Sequence, residues 1–490
     1  MRRLLVLTLA LAACGGAAQT TTTPAGSVAT STPATPVSSA LQRQAVLIPP
    51  ATNAAVRNQF GFGFPAAPAV PSGPPEEALV EALDAVFSSL TATSIDIAAI
   101  DQIGELGDAR AAWLVSDLLA LLGQSPARSI SLNVFERLTG AALEDDPVAG
   151  LSPWQSVADH LIAWDLPAVP GYEKWKSQLY LLIEPRWQPF FDDVDATIDW
   201  RFVSWGGVPM DARLLGDPDP CPQGCIAALD DPVVTDAAGG DWYSDDRVVF
   251  GVTIGGESRA YPKNIMEIHE MVNDTVGGRR VAIPYCTLCG SAQAYFTDNL
   301  PGGAEVPLLR TSGLLSRSNK VMFDRNTFSV FDTFTGVAVS GPLRQQGIEL
   351  EQTSVVASTW GDWKLAHPDT TIVAEDGGIG RQYSLDPLGD RDDNGAIFPI
   401  GNVDERLGVQ DKVLGVIADD GTPIAFSVVD ARAQLEAGGS VEALGVVVVS
   451  DGSGVRAIDA AGADVVGHEA FWFAWAQFHP DTVLWAAPVT

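Results

Sequence analysis

Side chains able to carry out chemistry are scarce in this sequence, which has 5 cysteines and 5 histidines among 490 residues. Any metal or redox centre must therefore be built from a handful of positions. Basic residues are also few, 29 Lys and Arg against 61 Asp and Glu, for a formal charge of −32. That balance argues against binding nucleic acid or anionic lipid through bulk electrostatics. No phosphate-binding loop, nucleophile elbow or metalloprotease H-E-x-x-H is found, so no motif points to a standard hydrolase. The apolar run at the N-terminus, L-L-V-L-T-L-A-L, is too short to span a membrane. What the chain does have is apolar mass: 46% of its residues are hydrophobic, ample for two or three domains with real cores.

Arg2 and Arg3 precede that apolar run, and L-A-A-C-G-G follows at Leu11 to Gly16. The pattern is that of a bacterial lipoprotein signal peptide over residues 1–13, with Cys14 as the lipid-bearing residue. The alternative is an ordinary signal peptide cut nearby, with Cys14 incidental. The lipoprotein reading places the protein in the bacterial cell envelope, extracytoplasmic and lipid-anchored, with the membrane as a partner through the lipid alone. Residues 14–74 are rich in Thr, Ala, Pro and Ser and read as a disordered tether.

From Pro75 the pattern turns helical. Leu79, Leu83, Val86, Phe87 and Leu90 share one face, and two amphipathic helices join through Gly107 and Asp108. This is either one unit of a stacked helical repeat or an ordinary bundle. Residues 75–192 are expected to be an all-α domain able to offer a protein partner a surface, with His160 packed inside it. Beyond Trp200 short β-forming runs alternate with Gly, Asp and Pro turns. The expected fold class is α+β, a helical region followed by a mainly antiparallel β domain.

The β region contains an internal echo. V-F-G-V at Val248 matches V-L-G-V at Val413, and W-G-D-W-K-L-A-H-P-D-T from Trp360 matches W-F-A-W-A-Q-F-H-P-D-T from Trp472. Residues 193–400 and 401–490 then read as a β-rich domain and a shorter, partly degenerate second copy. His367 and His479 recur with the tryptophans and read as scaffold. The second copy lacks the cysteines and any counterpart of His269, which makes those residues candidates for chemistry.

The reactive residues concentrate between Arg259 and Phe296. Pro262 suits a first helical position, and Ile265, His269 and Val272 follow at helical spacing, with Asn273 to Gly278 expected as the closing turn. R-V-A-I-P-Y then reads as a strand that delivers Cys286 and Cys289. That order predicts His269, Cys286 and Cys289 within metal-ligand reach of one another.

The runs H-E-M-V-N-D, Y-C-T-L-C-G-S-A, G-L-L-S-R-S-N-K-V-M-F-D-R and W-x-x-W-x-x-x-H-P-D-T resemble, in order and spacing, a bacterial family called domain of unknown function 3179, over roughly residues 200–490. The resemblance implies Glu270, Asp274, Asn319, Met322 and Asp324 as neighbours of the candidate site. Family members usually carry proline where this chain has Thr287.

With Cys14 lipidated, C-P-Q-G-C from Cys221 to Cys225 and C-T-L-C from Cys286 to Cys289 remain, and three accounts of them stand open. They are structural disulfides, a zinc or copper site completed by His269 or by all four sulfurs, or a working dithiol. A weaker calcium candidate is the loop with Asp390, Asp392 and Asn394, whose twelfth position is Gly401 rather than Glu. Two functions follow: an extracytoplasmic metal-binding or thiol-redox protein, or a non-catalytic surface-tethered scaffold whose cysteines only staple the fold.

Overall fold

The computed structural model describes residues 46–487, apart from 52–54, 93, 218–220, 222 and 393. Cys14, the signal peptide and the tether up to residue 45 lie outside the described residues.

Helices span Glu77–Thr91, Ile97–Leu106, Ala112–Leu121, Pro126–Thr139, Pro153–Trp164 and Tyr172–Ile183. Their ends follow local chemistry. Asp96 accepts the Ala99 N–H as an N-cap, and Gly107 closes that helix in the left-handed region at φ 72°, a conformation that favours glycine. Asp108 then caps the next turn through the Arg110 N–H. His160 has the packing role expected: it is buried, its Nδ1 lies 2.8 Å from the Ser156 carbonyl, and Phe64, Phe135 and Trp164 surround it. The helical core is continuous with that of the neighbouring β-sheet, since Leu83, Trp187, Leu314 and Phe323 belong to one buried apolar cluster.

The end of the expected tether is ordered. Val46–Ile48 pairs antiparallel with Leu484 to Ala486, and Phe62 and Phe64 stand 5.6 and 5.0 Å from the His160 ring. The reason lies in composition: the Thr/Pro/Ser texture gives way to V-L-I and then F-G-F-G-F, which supply the apolar surface that the preceding residues lack.

The β region is mostly antiparallel, as expected from its sequence. Two of its sheets share one topology. The first runs 356–359, 248–254, 257–262, 371–373 and 234–236; the second runs 467–471, 412–417, 423–427, 483–486 and 46–48. In each, the third and fourth strands are parallel and the remaining neighbours antiparallel. Each sheet is sealed by a helix that lays a tryptophan over a strand glycine. A Cβ on Gly251 would meet Trp363 at 2.3 Å, and one on Gly415 would meet Trp475 at 2.1 Å. Both indoles donate to a threonine, Thr370 or Thr482, at 2.9 Å.

The segment carrying the candidate site departs from expectation. The helix covers only Lys263–His269, and Met271–Val276 is a strand rather than helix and turn. Val272 therefore leaves the helix face assigned to it. M-V-N-D-T-V alternates well enough to pair with Arg279–Cys286, and Gly277 and Gly278, at φ 55° and 75°, form the two-residue turn between them. Such a turn needs positive φ at both central positions and matches the twist of a hairpin.

Candidate functional site: a buried dithiol

The hairpin determines where the cysteines go. Glu270, at φ 51°, turns the chain from helix into strand, and the Tyr285 N–H donates to its carbonyl at 3.0 Å. Cys286 therefore lies beside Glu270, one residue from His269. A second hairpin tip completes the enclosure. Arg317 and Ser318, both at positive φ, join strands Leu309–Ser316 and Asn319–Asp324. Cys289 Sγ lies 3.4 Å from the Ser318 carbonyl oxygen, and the Lys320 N–H donates to Cys286 Sγ at 3.5 Å.

Both thiols are free and almost wholly buried, at 1% and 0% exposure. Around them stand charges rarely taken out of water. Lys320 Nζ lies 3.6 Å from Glu270 Oε2 and also donates to the Glu270 carbonyl. Thr287 Oγ1 donates to Glu270 at 3.4 Å and accepts from Arg391 at 2.8 Å. Burial raises the Glu270 carboxyl above its usual range against the pull of Lys320, and lowers the Lys320 ammonium against that of Glu270.

The two sulfurs differ in kind. Burial pushes Cys286 up, but the hydrogen bonds from the Cys289 thiol and the Lys320 N–H outweigh it and leave the group below the ordinary thiol value. Burial, then the neighbouring Cys286, pushes Cys289 well above it. The two thiols thus titrate as one coupled pair, in which Cys286 is the first to lose its proton. A cavity of about 120 Å³ reaches Cys286, with Leu288, Lys320, Arg391 and Phe398 in its wall.

His269 is held elsewhere. Its Nδ1 donates to the Ala227 carbonyl at 2.5 Å and its Nε2 accepts from the Tyr383 hydroxyl at 2.6 Å. Burial lowers its pKa to about 4, so the ring is neutral. Among the described residues, the ligand atoms of His269, Cys286 and Cys289 do not gather as a metal set. Only Asp211, Cys221 and Cys225 bring three such atoms within 4.8 Å of one another. A zinc or copper ion at the dithiol would need further donors, and the groups at hand are a lysine ammonium and the carboxylate paired with it.

Of the neighbours that the family resemblance implies, Glu270 alone touches the dithiol surroundings. Asp274 accepts from Arg259 and Tyr261, and Asp324 caps its own hairpin through the Asn326 and Thr327 N–H groups. Met322 is core. Asn319 is buried beside Lys320, with its Oδ1 unpartnered. Lys320, Ser318 and Arg391 were not singled out by sequence reasoning. Lys320 and Ser318 stand inside the S-R-S-N-K run, whose signal was a paired charge in a buried strand.

Cys221 and Cys225 are joined as a disulfide. Cys221 Sγ lies 3.8 Å from Asp211 Oδ1, while Arg213 and the Ala228 N–H donate to that carboxylate. In the calcium candidate, the side chains of Asp390 and Asp392 lie outside the described residues, Asn394 is exposed, and the Gly401 N–H donates to Asp159.

Fold and site together define an α+β protein whose antiparallel β part encloses a free dithiol. The family model described as "Protein of unknown function (DUF3179)" matches residues 223–464, and that part of the chain, which contains the whole dithiol site, belongs to the family. No curated protein and no solved structure matches the chain.

Proposed function

We propose that the protein is a two-cysteine redox protein that reacts with a small oxidant through the cavity at Cys286. The observation that carries this reading is the asymmetric pair: two free, adjacent, buried sulfurs with opposite shifts in acidity. A cavity of about 120 Å³ is too small for a protein loop and suits a hydroperoxide or a low-molecular-weight disulfide. With a disulfide, the Cys286 thiolate attacks one sulfur and expels the other as a thiolate. Cys289 then loses its proton to that leaving group and attacks Cys286 Sγ, expelling the second small sulfur as a thiolate. The products are the Cys286–Cys289 disulfide, one small thiol and one small thiolate, which takes its proton from water.

The bonded Cys221–Cys225 pair supports a staple role for those two residues, so two of the three accounts divide between the two pairs. The common strand order of the two five-stranded sheets supports reading them as copies of one unit, with the dithiol carried by the chain that runs between the 257–262 and 356–359 strands of the first. The L-A-A-C-G-G run supports anchoring through Cys14 at the outer face of a bacterial membrane, where a disulfide persists. The test is to treat the reduced full chain with diamide or hydrogen peroxide and map the product by peptide mass spectrometry. A Cys286–Cys289 cross-link, absent from Cys286→Ser, is expected. Irreversible oxidation without a cross-link would overturn the reading.

A further inference from the structure

A cavity of about 570 Å³ lies between the first five-stranded sheet and the hairpin of Val446–Asp451 and Gly454–Ile458, and it shares no wall residue with the dithiol cavity. Gly251, Thr253 and Val356 form its floor on the sheet, and the sealing helix contributes Trp363 and its C-cap, His367.

The second sheet shows that the fold does not require this space. Trp475 and His479 repeat Trp363 and His367, and the register makes His468 the counterpart of Val356, since each pairs with its strand glycine, Gly415 or Gly251. There the space is filled. Phe334, 2% exposed, stands 5.0, 5.9 and 5.9 Å from the rings of His468, Trp475 and His479 and stacks on Phe478 at 4.6 Å. At the equivalent place on the first sheet the chain brings a hairpin carrying Asp451 and Arg456, and the cavity remains. The floor changes in the same sense, because Thr253 stands where the second sheet has Ile417.

The charges of the wall oppose one another. Asp451 lies 2.7 Å from His367 Nε2 and 3.2 Å from Arg456 Nε. Asp464 accepts from Ser354 Oγ at 2.8 Å and lies 3.6 Å from Arg456 Nη1. Arg279 is held by Asp298 at 2.8 Å and lies 3.7 Å from Glu351. An anion in this cavity would meet the carboxylates of Glu351, Asp451 and Asp464, in a chain of net charge −32, and a cation would meet the guanidiniums of Arg279 and Arg456. A hydroxyl group breaks none of the pairs, because it donates to a spare carboxylate lone pair and accepts from a guanidinium N–H.

We propose that this cavity binds an uncharged mono- or disaccharide. Its volume falls within the range of about 300–1,000 Å³ usual for small-molecule sites. Arg456 donates to the sugar hydroxyls, Asp451 and Asp464 accept from them, and Ile254, Phe296 and Val356 meet the C–H surface of the ring.

The test records saturation-transfer difference NMR of the full chain with glucose, galactose, N-acetylglucosamine, maltose and trehalose, with spermidine and citrate as charged controls. Calorimetric titration then follows for the sugar that binds. Binding of at least one sugar and of neither control is expected. Thr253→Phe replaces an exposed floor residue and fills the cavity as Phe334 fills its counterpart, so it should abolish binding. Arg456→Met should weaken binding about 10- to 100-fold, the loss of a hydrogen bond to a charged group. If Thr253→Phe fails to fold, Arg456→Met decides alone. Absence of saturation transfer to every sugar, binding of spermidine or citrate in their place, or a sugar affinity unchanged in either folded variant overturns the proposal.

Discussion

Replacing Lys320 with Met isolates the electrostatics of the dithiol site. The ammonium and the Glu270 carboxylate face each other at 3.6 Å with side chains only 4% and 14% exposed, so neither is solvated by water in the other's absence. Removing one partner of a buried pair costs about 3–5 kcal/mol. Thr287 remains bonded to Glu270, which places Lys320→Met near the lower end, about 3 kcal/mol. The double variant Lys320→Met, Glu270→Gln leaves no charge behind and should fall within about 1 kcal/mol of the parent. Glu270 already has a folded-state pKa above its ordinary value because of burial, and losing Lys320 raises it further. A group of that kind adds stability below its unfolded pKa and loses it as pH rises through the folded one. The deficit of the single variant should therefore shrink as pH falls below neutral. Urea unfolding followed by tryptophan fluorescence measures all three proteins. A single-variant loss under about 1 kcal/mol, or a double variant as unstable as the single one, would refute the buried-pair account.

Two further perturbations address the scaffold. Gly251→Ala drives a Cβ to 2.3 Å from Trp363, and since the indole is enclosed, overpacking should cost about 1–3 kcal/mol in chemical unfolding; a neutral result would mean the helix is free to move. Asp159 accepts the Ile400 and Gly401 N–H groups, and burial raises its pKa to about 7. Its folded pKa lies above the unfolded value of 3.8, so stability from this group is full below about pH 4 and declines toward pH 7, by up to about 1.4 kcal/mol per pH unit. Asp159→Asn should flatten that decline in unfolding curves taken across the range, and an unaltered slope would assign it to other groups.

Much of the architecture was legible because it is written in short-range patterns. The Gly107–Asp108 turn, the switch from helical to alternating texture near Trp200, and the paired W-x-x-W-x-x-x-H-P-D-T helices each depend on neighbours a few residues apart. Val272 was misplaced because I-H-E-M-V satisfies helical spacing as well as the alternation of M-V-N-D-T-V, and pairing with a strand beyond Gly278 decides between them. His269 was legible as buried but not as a partner of Tyr383, which lies more than a hundred residues away along the chain. Lys320 was hidden for the same reason, since it is paired with a side chain on another element.

The central claim, that Cys286 is the more acidic member of a coupled thiol pair, is tested most directly by the pH dependence of its alkylation. The reduced full chain would be pulsed with iodoacetamide from pH 5 to 10 and each cysteine quantified by peptide mass spectrometry. The account predicts that Cys286 reacts before Cys289, with a midpoint below the ordinary thiol value of about 8.5. It also predicts that Cys289→Ala moves this midpoint upward by removing the hydrogen bond that lowers it. Modification of Cys289 first, or a Cys286 midpoint above the ordinary value, would contradict it.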